Sequence, residues 1–210
     1  MILNKNYILS QLRTDSSKML EEVMQRSDEE FYQDLFTAAQ VKKLTNAERV
    51  SIMQQSIHSA EAVYKQVARE IELCGIVAVI ERYGTKLSYN ELNEADTVIA
   101  MYDKKENLLI MFEHAIAQLQ KQVVKKGMQK QFGDQLLKNL ILAHELYHII
   151  EMNEKDVFTY TKFFQYKWLG LTRHKRLAVA SEIGAFHFSK LVNKIDFSPC
   201  VIHSLIVEAD

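Results

Sequence analysis

The sequence predicts an α+β chain, predominantly helical, with a small antiparallel sheet and an N-terminal helical region. Three observations carry that expectation. A single proline, Pro199, leaves long helices uninterrupted. Two capping-box patterns, Ser27-Asp28-Glu29-Glu30 and Thr45-Asn46-Ala47-Glu48, open helices early in the chain. Between residues 76 and 112 the texture changes to short apolar runs separated by polar turns. Apolar content of 48% beside 25% charged residues describes a chain able to bury an ordinary core, and 210 residues suit one domain with a helical extension.

Taken in order, residues 4–26 form the first helix candidate, with Ile8, Leu12, Met19, Leu20, Val23 and Met24 as its apolar positions. The Ser27 box opens a second helix to about Val41, and the Thr45 box a long one to about Cys74. In the long helix Met53, Ile57, Ala60, Tyr64, Val67 and Ile71 alternate spacings of four and three, one apolar stripe suited to core packing. Residues 1–65 thus read as a helical region packed on the rest or carrying partner specificity, and residues 66–210 as the main domain. Gly75 is expected to stop the long helix. Ile76–Ile80 then reads as a β-type run ending near Gly84. Asp96–Tyr102 and Leu108–Phe112 flank the polar turn Asp103–Asn107 as a hairpin. Glu113 to about Lys126 returns to helix, and Gly127–Gly133 is a loop. Asp134 is a candidate N-cap for a helix without Gly or Pro from Gln135 to Met152. A polar turn at Asn153–Asp156 leads to an aromatic stretch, then to a helix from about Thr172 to Asn193. Ser198-Pro199 is an N-cap followed by proline at the first helical position, so a short C-terminal helix is expected after it.

Charge and targeting signals exclude some classes. The net charge of −1 gives no support for nucleic acid or an acidic membrane surface. The aromatic residues from Phe158 to Trp168 alternate with lysines, and they read as core closure or cleft lining rather than a nucleic-acid surface. The opening residues lack the basic-then-apolar signal-peptide pattern and no apolar run has membrane-spanning length, so a cytoplasmic protein is expected. Cys74 and Cys200 lack metal-ligand spacing and read as buried thiols rather than a disulfide or a second metal site.

The chemistry concentrates in Leu140–Met152, where His144, Glu145 and His148 make a His-Glu-x-x-His motif. Residues four apart on an α-helix differ by about 40° around the axis and about 6 Å along it. Both imidazoles can therefore address one Zn²⁺ ion from the same face, with Glu145 beside them as a general base for a metal-activated water. Leu140, Ile141, Leu142, Ala143, Leu146, Ile149 and Ile150 make this helix apolar almost all round, so it should be buried. Buried histidines and a carboxylate are costly unless paired or metal-bound. A tetrahedral zinc needs a third protein ligand. Glu151 and Glu154 occupy the places where a Gly-x-x-His extension would put glycine and histidine, so that class is excluded. Glu182, on a later helix beside the small residues Gly184 and Ala185, is the best candidate. His58, His114, His174, His187 and His203 are weaker ones.

His144-Glu145-x-x-His148 followed by Glu182-x-x-Ala185-x-x-Phe188 resembles the ImmA/IrrE-type zinc metallopeptidases. The hairpin Ala100–Ile110 is also similar to the strand pair ahead of that family's active-site helices. The likeness covers about residues 66–192, with Ser189 standing where the family usually has Ala. It implies a zincin-like minimal metallopeptidase core over 66–210, with His144, His148 and Glu182 as zinc ligands and Glu145 catalytic. It also implies a protein substrate, with a DNA-binding repressor as the expected kind and no direct nucleic-acid contact. The alternative is a non-catalytic zinc-binding regulatory or protein-interaction module. An oxyanion donor is expected, with Tyr160, Tyr166, His174 and His187 as candidates by type.

Overall fold

A computed structural model describes residues 23–37, 44–90, 98–168 and 171–206. The expected helix over 4–26 enters this range only through its end, Val23–Gln25, which is helical. The far end of the second helix and the first residues of the hairpin lie outside the described residues.

Both capping boxes form. In α1 (Asp28–Asp34) the Ser27 side chain accepts from Glu30 N–H while the Glu30 carboxylate accepts from Ser27 N–H. A 3₁₀ turn, Leu35–Thr37, comes next and buries Phe36. Thr45 and Glu48 make the same reciprocal pair at the start of α2 (Asn46–Arg82). Gly75 does interrupt that helix, at φ 84° and ψ 166°, a conformation essentially restricted to glycine.

Beyond Gly75 the chain departs from expectation. Ile76–Ile80 is helical, not a strand. Its buried residues are Ile76, Val79 and Ile80, the three-and-four spacing of one helical face, so packing overrides the β propensity of the run. The sheet comes later: β1 (Lys86–Asn90), β2 (Ala100–Asp103) and β3 (Leu108–Phe112), in the order β1-β3-β2. It is mixed rather than antiparallel. The expected β2–β3 hairpin forms, while β1 pairs parallel to β3. Asn107, left-handed at φ 49°, helps tie this arrangement together. Its side-chain oxygen accepts from Thr85 (2.8 Å) and Tyr102 (2.7 Å), and its carbonyl accepts from Lys86 N–H (2.9 Å), seating β1 against β3.

The C-terminal half holds the two central helices. α3 (Glu113–Lys125) leads through the expected loop to α4 (Asp134–Asn153). Gly133, not Asp134, is the N-cap; Asp134 sits in the first turn, where its charge favours the helix dipole. A four-residue helix α5 (Phe158–Thr161) precedes an unexpected antiparallel hairpin, β4 (Phe163–Trp168) and β5 (Leu171–Arg176). The helix expected from Thr172 therefore begins later, as α6 (Ala178–Asn193). α7 (Val201–Ile206) comes after Ser198-Pro199, with the Ser198 carbonyl accepting from Val201 N–H.

α6 packs against both α2 and α4, and β2 lies against α4. α4 is buried on nearly every side, from Leu140 through Glu151. Contact between α4 and α6 is close because Gly184 faces Tyr147. A Cβ at Gly184 would sit 2.5 Å from the Tyr147 hydroxyl oxygen. Among the described residues no helix is long and apolar enough to cross a membrane.

Candidate metal centre

α4 delivers His144 and His148 to one face, their ring centroids 4.9 Å apart and nearly perpendicular. Their Nε2 atoms approach to 3.2 Å. α6 brings Glu182 across: its Oε2 lies 3.4 Å from His144 Nε2 and its Oε1 3.7 Å from His148 Nε2. Donor atoms of three side chains from two helices thus lie within 4.8 Å of one another, and this buried group could hold a metal ion. Both histidines are buried, and the Glu182 side chain, 32% exposed, is the open side of the cluster.

Electrostatics agree with the geometry. Burial by itself would raise the Glu182 carboxyl. The hydrogen bond from His144 and the charges of His148 and His144 outweigh it and hold the group well below the usual carboxylate range. His148 feels the opposite balance. Burial pulls its pKa down, but the Glu151 hydrogen bond and the charges of Glu182, Glu145 and Glu151 raise it above the ordinary value.

Glu145 is next to His144 on the helix and is 2% exposed. It lines, with His144, a small hollow whose other walls include Ile99, Ala100, Phe186 and Ile202. The hollow is small, about 20 Å³, and most of the side chains around it are apolar. The Phe186 ring packs edge-on against His144, 4.6 Å between centroids. Ser189 donates to the Leu140 carbonyl at 2.8 Å, a second point where α6 grips α4.

Other expected candidates lie elsewhere. His187 meets Tyr32 (3.4 Å) and Glu61 (4.0 Å), and His114 meets Gln118. His58 lines a groove beside α2. Of the oxyanion candidates, Tyr160 lies beneath the Arg176 guanidinium, 4.3 Å from its ring centroid. The side chains of Tyr166, His174 and His203 lie outside the described ones. Tyr147, inside the motif, shares a hydrogen bond with Thr159 at 2.9 Å and donates to Ser59, and burial pushes its hydroxyl up to about 12.

Sequence reasoning missed three polar residues around His148. Glu151 is fully buried, and its Oε2 lies 3.4 Å from His148 Nδ1, 2.6 Å from Ser181 Oγ and 2.8 Å from Arg176 Nη2. Glu151 was detectable as a carboxylate one turn beyond His148 on a helix apolar all round. Arg176 was not, because its place depends on the hairpin. No protein-family model matches the chain, and no curated protein or solved structure is similar enough to count as a match.

Proposed function

We propose that the chain is a zinc-dependent peptidase in which His144, His148 and Glu182 hold Zn²⁺ and Glu145 is the general base. The observation that carries this reading is the close approach of donors from three side chains. His144 Nε2 lies 3.2 Å from His148 Nε2 and 3.4 Å from Glu182 Oε2, and His148 Nε2 lies 3.7 Å from Oε1, the other oxygen of that carboxylate. Donors about 2.0–2.1 Å from one zinc at tetrahedral angles stand roughly 3.4 Å apart. The donor chemistry fits too: two imidazoles and a carboxylate are a protein donor set that zinc accepts, with a water or substrate oxygen completing its coordination. When bound, zinc would supply Lewis acidity, lowering the pKa of a water and polarising the scissile carbonyl.

This chain's own residues would do the rest. Glu145, the neighbour of His144 in the chain, would take the attacking water's proton and return it to the leaving amine. Glu145 itself is buried, among mostly apolar neighbours in the hollow. The adjoining hollow takes a methyl-sized group, which favours a small apolar side chain next to the cleaved bond. The resemblance to ImmA/IrrE-type metallopeptidases supports a protein substrate, with a DNA-binding repressor in a cytoplasmic setting as its expected kind.

The test is zinc content together with cleavage of casein or a candidate repressor, using Glu145→Gln as control. The expected result is one zinc per chain in both proteins, with cleavage reduced on the order of 10²–10⁴-fold in the variant. Stoichiometric zinc with no cleavage by either protein would favour the non-catalytic zinc-binding module. Full cleavage by the variant would remove Glu145 from its role.

A further inference from the structure

We propose that Glu151, Ser181 and Arg176 form a positioning relay that fixes the tautomer and ring orientation of His148, so that its Nε2 lone pair faces the metal position. The inference rests on the metal reading above and concerns the opposite side of the imidazole.

The hydrogen-bond directions can be worked out from the donors present. Glu151 is fully buried, and Arg176 Nη2 lies 2.8 Å from its Oε2. The guanidinium offers donors only, so the Oε2 that faces it is an acceptor. Ser181 Oγ, 2.6 Å from the same oxygen, must therefore spend its one proton on Glu151. That leaves Ser181 only lone pairs to offer His148 Nδ1, which lies 3.1 Å away. Nδ1 must then carry the proton, donating to Ser181 and, at 3.4 Å, to Glu151. A neutral imidazole protonated at Nδ1 has its lone pair on Nε2, the atom aimed at His144 and Glu182. Metal-ligating histidines depend on such outer partners, whose loss typically weakens metal binding by about 10–100-fold.

The relay draws on four elements. Glu151 and His148 belong to α4, Ser181 to α6, and Arg176 is the last residue of β5, resting on Tyr160 of α5. The backbone contact from Leu177 N–H to the Lys162 carbonyl, 2.9 Å, closes the base of the hairpin that presents Arg176. The ligand's orientation thus depends on a hairpin the ligand helices do not contain. The same carboxylate that stands where a histidine-donating extension would need glycine serves here as a support for His148.

The experiment measures zinc affinity by chelator competition and the visible spectrum of the Co²⁺-substituted protein, for the full chain and for Glu151→Gln and Ser181→Ala. Expected are losses of zinc affinity of about 10–100-fold, with a changed Co²⁺ spectrum. Ser181→Ala removes one hydroxyl only and serves if Glu151→Gln does not fold. A purely structural role would lower the melting temperature of the metal-free protein and leave affinity and spectrum alone. Wild-type protein that binds zinc while the folded variants bind it as tightly, with the same spectrum, overturns the relay alone. Wild-type protein that takes up no zinc overturns the metal reading and the relay with it.

Discussion

His144 and His148 share one motif and one face, yet their far sides are built differently. Behind His148 lie Ser181 and Glu151, hydrogen-bonded to each other, with the Arg176 guanidinium in an ion pair with Glu151. His144 Nδ1 is buried with no hydrogen-bond partner among the described residues, and the Phe186 ring packs against that imidazole. One imidazole is held by polar direction and the other by shape. The difference teaches that a motif's spacing sets which atoms meet, whereas the surrounding elements decide how firmly each is held.

The comparison can be broken most forcefully on its apolar side. Phe186→Ala should destabilise the fold by about 3–5 kcal/mol, because it opens a cavity between α6 and His144. Chemical denaturation would register it, and Phe186→Leu should recover most of the loss. A destabilisation below about 1 kcal/mol would mean that packing does not hold His144.

Next in size is the contact that brings the two helices together. Gly184→Ala places a Cβ against the Tyr147 ring and hydroxyl, with contacts of 2.5 to 2.7 Å. Overpacking of that kind costs about 1–3 kcal/mol. It should also weaken metal binding, since Glu182 rides on the displaced helix. Unchanged thermal stability and metal uptake would show that α6 yields without moving its carboxylate.

Tyr147→Phe is a milder probe. It keeps the ring and removes the hydroxyl bonded to Thr159 and Ser59, at a cost of about 1 kcal/mol, with metal affinity unaltered. A large fall in affinity would place Tyr147 within the group that supports His148.

The smallest effect concerns pH and a histidine away from the cluster. Burial holds His187 below its ordinary pKa, with Lys190 assisting and Asp28 and Glu61 opposing. A group depressed in the folded state favours the neutral form, so its stabilisation is complete above about pH 6.5 and erodes as pH falls towards the folded value. His187→Gln should shrink the difference in melting temperature between about pH 7.5 and about pH 5.5, either side of the ordinary histidine value. An unchanged difference would assign the acid sensitivity to other groups.

Legibility tracked the range of the interactions. The two capping boxes and the pairing of His144 with His148 were readable because each depends on residues three or four apart on one helix. Glu182 was readable from its residue type and small neighbours. The stretch 76–80 was misread because its β-branched residues suit a strand, and only the core against which Ile76, Val79 and Ile80 pack decides for helix. The start of α6 carries no side-chain cap, so nothing local announced that the chain stays extended through Arg176. Strand β1 gave no warning either, since its parallel partner is β3 rather than a neighbour in sequence.

Gly184 also bears on which ion the cluster would accept. Two residues from Glu182, it sets how far apart the two rods lie, and hence how wide a gap is left between carboxylate and imidazoles. A missing methyl group therefore acts as a spacer for whatever cation the cluster could hold: zinc, with bonds of about 2 Å, would ask for a narrower gap than calcium, with about 2.3–2.6 Å and more oxygen atoms.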